Sequence, residues 1–326
     1  VAHRAHTGLP LFRRATRMLL PARSPGPSAL PFHCLRFMSS LKKILSALVL
    51  ALNTLVVSCC MVPFALLKLL LPVRAVRIPC DRALMHIAGL WVGVNGSWFE
   101  AINGTRWQVD VPAGLRRDGW YLVLSNHQSW VDILVLQQVF NHRIPFLKFF
   151  IKHELIYVPV IGLAWWALDF PFMKRKGGAT AQQDLEAARK ACAKFRLNPT
   201  SLISYAEGTR FTPAKQNEQQ SPYRHLLKPK SGGVGIALET MGDKFTAVLD
   251  VTIAYPDGVP TFGDVMAGRF RSVSVRVHER LVPPEVQAAP GEPVQRIGLQ
   301  RWVQRLWKEK DAELDALLQA EPPAAS

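Results

Sequence analysis

Apolar positions follow two regimes along the chain. From Met38 to about residue 100 they come in long runs, and beyond it in short packets between polar turns. Ile44 to Leu67 is a stretch of 24 residues without a charge, with Lys42 and Lys43 before it and Lys68 after it. A helix of that length measures about 36 Å, enough to cross the hydrocarbon core of a bilayer with some tilt. It is too long for a cleaved signal peptide, and no clear small-residue cleavage site precedes Lys68. Pro63 leaves a second arrangement open, a helix broken into a hairpin that dips into one leaflet. Arg74, Arg77 and Arg82 balance the preceding lysines, so charge does not choose an orientation. The following segment 83–99, "ALMHIAGLWVGVNGSWF", is apolar and tryptophan-bearing, as an interfacial helix would be.

From about 105 to 280 the period changes. "RWQVDV" (106–111), "WYLVLS" (120–125), "SLISYA" (201–206), "AVLDVTIAY" (247–255) and "SVSVRVH" (272–278) are short, apolar or alternating, and bounded by turn formers, which predicts strands. "WVDILVLQQVF" (130–140) and "TAQQDLEAARKACAKFRL" (180–197) predict helices; in the second, Leu185, Ala188, Cys192 and Phe195 recur on one face. Strands spaced by helices give an α/β fold, a mostly parallel sheet flanked by helices behind the N-terminal membrane-anchoring segment. The run 154–172, "ELIYVPVIGLAWWALDFPF", is broken by Pro159 and Gly162, and its longest clean stretch is too short to span a bilayer. It suits an apolar groove, a membrane-resting surface, or plain buried core. The polar segment 211–235 is long for a loop and reads as a lid or as a disordered insertion. The boundaries expected are therefore a leader over 1–37, membrane-anchoring helices over 38–100 and the α/β domain over 101–290. An amphipathic helix over 291–320 and a disordered tail over 321–326 complete the chain.

Charge narrows the partner. The chain carries 40 Lys and Arg against 24 Asp and Glu, a net of +16, which suits an anionic ligand or surface. Residues 1–37 hold six arginines and no acid. Such a stretch marks an organelle transit peptide, or a disordered leader ahead of a true start at Met38; without it the net is 16 − 6 = +10. No nucleic-acid motif is present and a membrane anchor argues against DNA, so no nucleic-acid partner is expected. Five cysteines, with no C-x-x-C pair, give neither a disulfide framework nor a zinc site.

Chemistry gathers at the ends of the predicted strands. "LSNHQSWVDI" (124–133) puts His127 in a turn and Asp132 in the first turn of the next helix. A carboxylate there can accept from one imidazole nitrogen, fix the tautomer and leave the other nitrogen as a base. The same spacing, Ser129-x-x-Asp132, is also a capping box, with His127 then a solvated turn residue. "SYAEGTRFTPAK" (204–215) collects Glu207, Gly208, Thr209 and Arg210 after a second strand, and "FPFMKRKGG" (170–178) collects Lys174, Arg175 and Lys176 after a third apolar run. Three clusters at carboxyl ends predict one shared edge, where open α/β sheets bind ligands. A serine hydrolase is excluded, because no G-x-S-x-G elbow occurs.

In order, "NHQSWVD", "FPFMKR", "EGTRFT" and "VTIAYP", with "HLLKPKSGG" at 225–233, resemble the blocks of the glycerolipid acyltransferases, over about 85–310. That resemblance implies acyl transfer from acyl-CoA or acyl carrier protein to the sn-2 hydroxyl of 1-acylglycerol-3-phosphate. The alternatives are a remodelling acyltransferase acting on lysophosphatidylglycerol or lysocardiolipin, and a catalytically inactive basic lipid-binding membrane protein. The resemblance implies His127 as base and Asp132 as its orienter. Lys174, Arg175, Glu207, Gly208, Thr209 and Arg210 are implied to bind substrate, with no metal and no cofactor beyond the thioester co-substrate. Oxyanion donors are expected among the backbone N–H groups near Ser129 and Trp130. Partners would be the lysophospholipid acceptor, the thioester donor and membrane lipids. The expected location is a bacterial inner membrane with the catalytic domain facing the cytoplasm. Two positions depart from the family pattern: Tyr205-Ala206 stands where Phe-Pro is usual, and Lys174 where an acidic residue is common.

Overall fold

The computed structural model describes residues 32–170, 172–173, 186, 189–190, 192–287 and 292–319. Two long helices open it, α1 (Phe32–Leu70) and α2 (Arg74–Asn103). α1 runs through Pro63 without a break, and the chain reverses instead at Leu71-Pro72-Val73. The hairpin option at Pro63 is thereby corrected: losing one backbone donor does not end a helix that packs along a neighbour, whereas Pro72 begins a true turn. The apolar segment 83–99 becomes the body of α2.

α1 is zipped to α2 and to the domain behind it by polar contacts along its length. Asn53 Nδ2 donates to Asn95 Oδ1 at 2.7 Å, the Trp91 indole to Thr54 Oγ1 and the Trp98 indole to Ser46 Oγ, both at 3.1 Å. At one end Lys42 Nζ donates to Ile102 O and Arg269 to Ser39 Oγ. At the other end Lys68 Nζ donates to Ala167 O and pairs with Asp81 and Asp169. Phe37–Leu70 is long and apolar enough to cross a membrane by length and composition, and only 17% of its most apolar window is buried.

The sheet has six strands: β1 (Arg106–Asp110), β2 (Tyr121–Ser125), β3 (Leu147–Phe149), β6 (Ser201–Ser204), β7 (Ala247–Ala254) and β8 (Ser272–Arg280). Their order is β1-β8-β7-β2-β6-β3, and a separate pair joins β4 (Ile151–Lys152) to β5 (Phe172–Met173). Every pairing in the main sheet is parallel except β7 with β8. β2 and β7 are buried at every position, as strands covered on both faces must be, and they read as continuous apolar runs for that reason.

Helices cover both faces. On one side α3 (Val131–Phe140) buries Val131, Val135, Leu136 and Val139 beside Phe99 of α2. On the other, α6 (Gly232–Met241) and α8 (Arg296–Gln319) pack Leu238, Trp302, Leu306 and Trp307 against Leu122, Leu202 and Val248. Three shorter helices, α4 (Ile161–Ala167), α5 (Pro213–Glu218) and α7 (Phe262–Met266), lie in connections. The run 154–172 divides its roles: Ala167, Leu168 and Phe170 are core, while Tyr157, Leu163 and Trp166 are exposed. The segment 211–235 is folded, not a disordered insertion. The Arg224 and His225 N–H groups donate to Asp311 of α8, and Leu227 N–H donates to Glu207. The predicted helix 180–197 lies largely outside the described residues; its last turn, 192–195, is helical, with Cys192 and Phe195 buried.

Candidate active site

Three neighbouring parallel strands, β6, β2 and β7, end on one edge. Leu124 is in register with Ser204 on one side and Asp250 on the other. His127 follows the end of β2 by two residues, Glu207 follows β6 by three, and Tyr255 directly follows β7. The sheet therefore brings together residues 80 and 128 positions from His127 in sequence. Asn126 extends the ladder by a side chain: its amide donates to Ile253 O and accepts from Ile253 N–H, each at 2.9 Å. This clamps the turn that carries His127.

His127 Nδ1 lies 2.8 Å from Asp132 Oδ2. An ionised carboxylate only accepts, so Nδ1 carries the proton and Nε2 is the free, basic nitrogen. Asp132 is buried and fully engaged. Oδ2 also accepts from Gln128 N–H (2.6 Å) and Ser129 N–H (2.9 Å), and Oδ1 accepts from Tyr255 Oη–H (2.6 Å). The capping and orienting readings of Asp132 are thus one arrangement. Its carboxylate satisfies the N–H groups before α3 and holds the imidazole in the same stroke. The helix starts at Val131, two residues after Ser129, whose hydroxyl accepts from Val131 N–H.

That geometry corrects one expectation. The Ser129 N–H donates to Asp132 and is not open to an oxyanion, and the His127 N–H is held by Glu207 Oε1 at 3.1 Å. Among the described residues the Trp130 N–H makes no hydrogen bond. Tyr205 stacks on the imidazole, with ring centroids 4.1 Å apart and planes 18° from parallel. Burial first, and then the charge of Asp132, push the Tyr205 and Tyr255 phenols well above the usual tyrosine value. Both stay protonated, so each remains a donor.

The second cluster divides. Glu207 is fully buried, and its oxygens accept from the backbone N–H groups of His127 and Leu227. Burial lifts its carboxyl to about 7 against the pull of those two donors and of Lys310. It braces the histidine loop from beneath rather than lying open to a ligand. Gly208, with φ of 72°, turns the chain outward, a backbone conformation open to glycine at little cost. The loop is then tied back by Phe211 N–H on His127 O at 2.7 Å. Arg210 is exposed, its guanidinium 5.3 Å from the Trp130 ring, and Thr209 Oγ1 accepts from Lys215 Nζ at 2.7 Å. Lys230 lies over Gly208. Lys174 and Arg175 fall outside the described residues.

Sequence reasoning missed Tyr255 and Tyr205 as parts of the site. The signal for both was position, since each directly follows a strand adjacent to β2. Among the described residues no group of three His, Cys, Asp or Glu side chains is disposed to hold a metal.

The acyltransferase family model matches residues 106–256. Over 205 residues the chain is 28% identical to mouse (Mus musculus) 1-acyl-sn-glycerol-3-phosphate acyltransferase delta, covering 59% of this chain and 51% of that one. Against zebrafish (Danio rerio) lysocardiolipin acyltransferase 1 it is 28% identical over 217 residues, covering 62% and 53%. The chain thus spans about half the length of these curated relatives. In fold it is similar to the crystal structure of the 1-acyl-sn-glycerophosphate acyltransferase of Thermotoga maritima. The TM-score is 0.53 at 20% identity, covering 85% of this chain and 98% of that one. With a sheet of that architecture and the blocks set at the ends of its adjacent strands, the chain is similar over 106–256 to the acyltransferase family and to relatives named as glycerolipid acyltransferases.

Proposed function

We propose that the chain is a lysophospholipid acyltransferase that moves a fatty acyl group from a thioester to the sn-2 hydroxyl of 1-acylglycerol-3-phosphate. The observation that carries this reading is the His127–Asp132 contact, which leaves Nε2 unengaged on a ring that is 14% exposed, at the shared strand edge. Thioesters need no covalent enzyme intermediate, because the thiolate leaves well; the missing element is a deprotonated alcohol. Nε2 takes the hydroxyl proton as the oxygen attacks the thioester carbonyl, a contribution of about 10² to 10⁴ in rate. Asp132 stabilises the imidazolium that forms, and the stacked face of Tyr205 adds to that. The Trp130 N–H is the donor best placed to meet the developing oxyanion. Collapse expels the thiolate, and the imidazolium returns its proton to sulfur. Arg210, with Lys174 and Arg175, holds the acceptor phosphate.

Acceptor identity is the finer part of the proposal. Relatives named for 1-acyl-sn-glycerol-3-phosphate and for lysocardiolipin match this chain equally well. Phosphatidate formation is preferred because the second and third blocks keep Arg175 and Arg210 for a phosphate, even with the departures at Lys174 and Tyr205-Ala206. For location we propose a membrane surface. Leu48, Leu52, Leu55 and Leu66 on α1 and Leu163 and Trp166 on α4 form its apolar contact, and the catalytic edge faces the cytoplasm, where acyl thioesters are made.

The test is an acyl-transfer assay on membranes bearing wild type or His127→Ala, with labelled acyl thioester and lysophosphatidate, lysophosphatidylglycerol or monolysocardiolipin. Histidine-dependent product from lysophosphatidate is expected. Product mainly from another acceptor moves the function to remodelling, and undiminished turnover by His127→Ala would sink the base assignment.

A further inference from the structure

Away from the strand edge, a cavity of about 470 Å³ opens between α2, the far end of α3 and the turn that follows it. None of its lining residues belongs to the site above. Met85 and Phe146 are among its apolar walls, and Arg82, His86, Arg117 and His142 line it too. One acid, Asp118, is at hand, and both its oxygens accept from Arg116 at 2.9 Å. Arg117 uses Nε on the His142 carbonyl, which leaves its terminal nitrogens open. Arg82 and His86 are exposed and make no hydrogen bond or ion pair with the described residues. His142 itself is held at φ of 61°, a conformation that costs a non-glycine residue on the order of 1 kcal/mol and that collects at binding sites.

Cations over an apolar floor select a ligand that is anionic at one end and hydrocarbon at the other. The surroundings indicate its source. Leu90 and Val94, one and two helical turns beyond His86 on α2, are each half exposed and continue the apolar outer face of the α1–α2 hairpin. We propose that this cavity is a second lipid site, filled from the bilayer by the phosphodiester headgroup of an anionic phospholipid. Arg82 and Arg117 hold the phosphate, His86 closes the mouth, and the first part of an acyl chain lies on Met85 and Phe146. The site rests on the membrane placement proposed above and is independent of the acyl-transfer chemistry.

Gly89 supplies a clean way to fill it. A Cβ there would meet Asn141 Oδ1 at 3.6 Å and His142 Cε1 at 3.9 Å, ordinary contacts, so the first side-chain carbon of Gly89→Leu fits at the cavity wall and the change favours the helix. The test uses the full chain on phosphatidylcholine vesicles with a trace of phosphatidylglycerol carrying a photoreactive group near the glycerol. Cross-linked peptides are mapped for wild type, Gly89→Leu, the pair Arg82→Gln with Arg117→Gln, and His127→Ala. Labelling is expected at 82–92 and 140–147, unchanged in His127→Ala and at least tenfold lower in the other two variants. Unlabelled phosphatidylglycerol should compete, and phosphatidylcholine should not. Equal competition by phosphatidylcholine, labels confined to the strand edge, or labelling indifferent to the cavity variants would each overturn the site. Competition by soluble glycerol phosphate would reassign it to a free phosphate and overturn the lipid. Cosedimentation of wild type with plain vesicles separates the two readings. Its loss removes the membrane placement, and its retention without cavity labels removes this site alone.

Discussion

At the scale of single residues, the site is a set of hydrogen bonds converging on one carboxylate, and their ranks differ. Asp132→Asn keeps the shape but turns an NH₂ or a single acceptor toward His127, so that Nδ1–H loses its defined partner and the wrong tautomer competes. On the reading proposed above, kcat falls about 10² to 10⁴-fold with little change in acceptor KM. Tyr255→Phe removes one of four donors to the same group, and a loss of about tenfold in kcat is expected, since Gln128 and Ser129 still hold Oδ2. If Tyr255→Phe proved as damaging as Asp132→Asn in the same assay, the carboxylate would owe its orientation to the phenol and not to the loop. Glu207 makes a different prediction, one of stability. Burial raises its carboxyl from the ordinary 4.5 to about 7, so the folded chain holds that proton more tightly than the unfolded one. Its contribution is fully present below pH 4.5 and is lost as pH rises to about 7, a fall of about 1 kcal/mol per pH unit inside that window. Thermal unfolding of wild type and Glu207→Gln between pH 4.5 and 8 should show the extra slope in wild type only. Parallel curves would mean that the buried carboxyl titrates normally.

At the scale of elements, α8 is fixed by a charge as well as by its tryptophans. Lys310 is buried, its Nζ 2.6 Å from Asp250 Oδ1 and bonded to Val251 O, beneath the strand that delivers Tyr255. Removing Lys310 leaves buried Asp250 with Arg280 alone, at 3.6 Å, and costs up to about 3 to 5 kcal/mol, whereas replacing both Lys310 and Asp250 by apolar groups is near neutral. Lys310→Met should therefore lower the unfolding midpoint sharply, and Lys310→Met with Asp250→Leu should recover most of it. No recovery would show that Lys310 matters through Val251 O and not through its charge partner. This pair also shows what the sequence made legible. The apolar run "AVLDVTIAY" announced β7, and the lone Asp inside it was the trace of a partner elsewhere, but nothing local named Lys310 as that partner. Runs of five or more residues, such as β2, β7 and β8, were readable because burial on both faces or alternation imprints a period on them. β3 escaped because three residues after Pro145 carry no period. α6 escaped because it opens on Gly232-Gly233 and owes its helix to the packing of Val234, Leu238 and Met241 rather than to propensity. His127 and Asp132 were legible because their relation is local. Glu207 was legible as important but not in direction: its position after a strand was visible, and its inward turn toward two backbone N–H groups was not.

At the scale of the whole molecule, the question is how a helix apolar enough to span a bilayer is used. Ser39 and Lys68 are 29 residues apart on α1, about 44 Å along the axis. Both touch the same folded body, Ser39 through Arg269 and Lys68 through Ala167 and Asp169. A spanning helix would place those ends on opposite faces of the membrane, and one domain on one side could not meet them both. On the membrane placement proposed above, the helix rests in the plane of the interface, with Leu48, Leu52 and Leu55 directed into the acyl region and its other side on α2. Thiol accessibility in reconstituted vesicles tests this. With Cys34, Cys59 and Cys60 replaced by Ser, single cysteines are introduced as Ser39→Cys and Leu70→Cys, Cys80 and Cys192 being buried. An impermeant maleimide added outside should label both positions to the same extent, on the same subset of molecules that exposes the catalytic domain to external protease. A cysteine restored at 59 or 60, on the exposed apolar side of α1, should stay unlabelled until detergent is added. Labelling of one end only, with the other reached only after permeabilisation, would make α1 a spanning helix. It would also require the contacts of Ser39 or of Lys68 with the domain to open in the membrane.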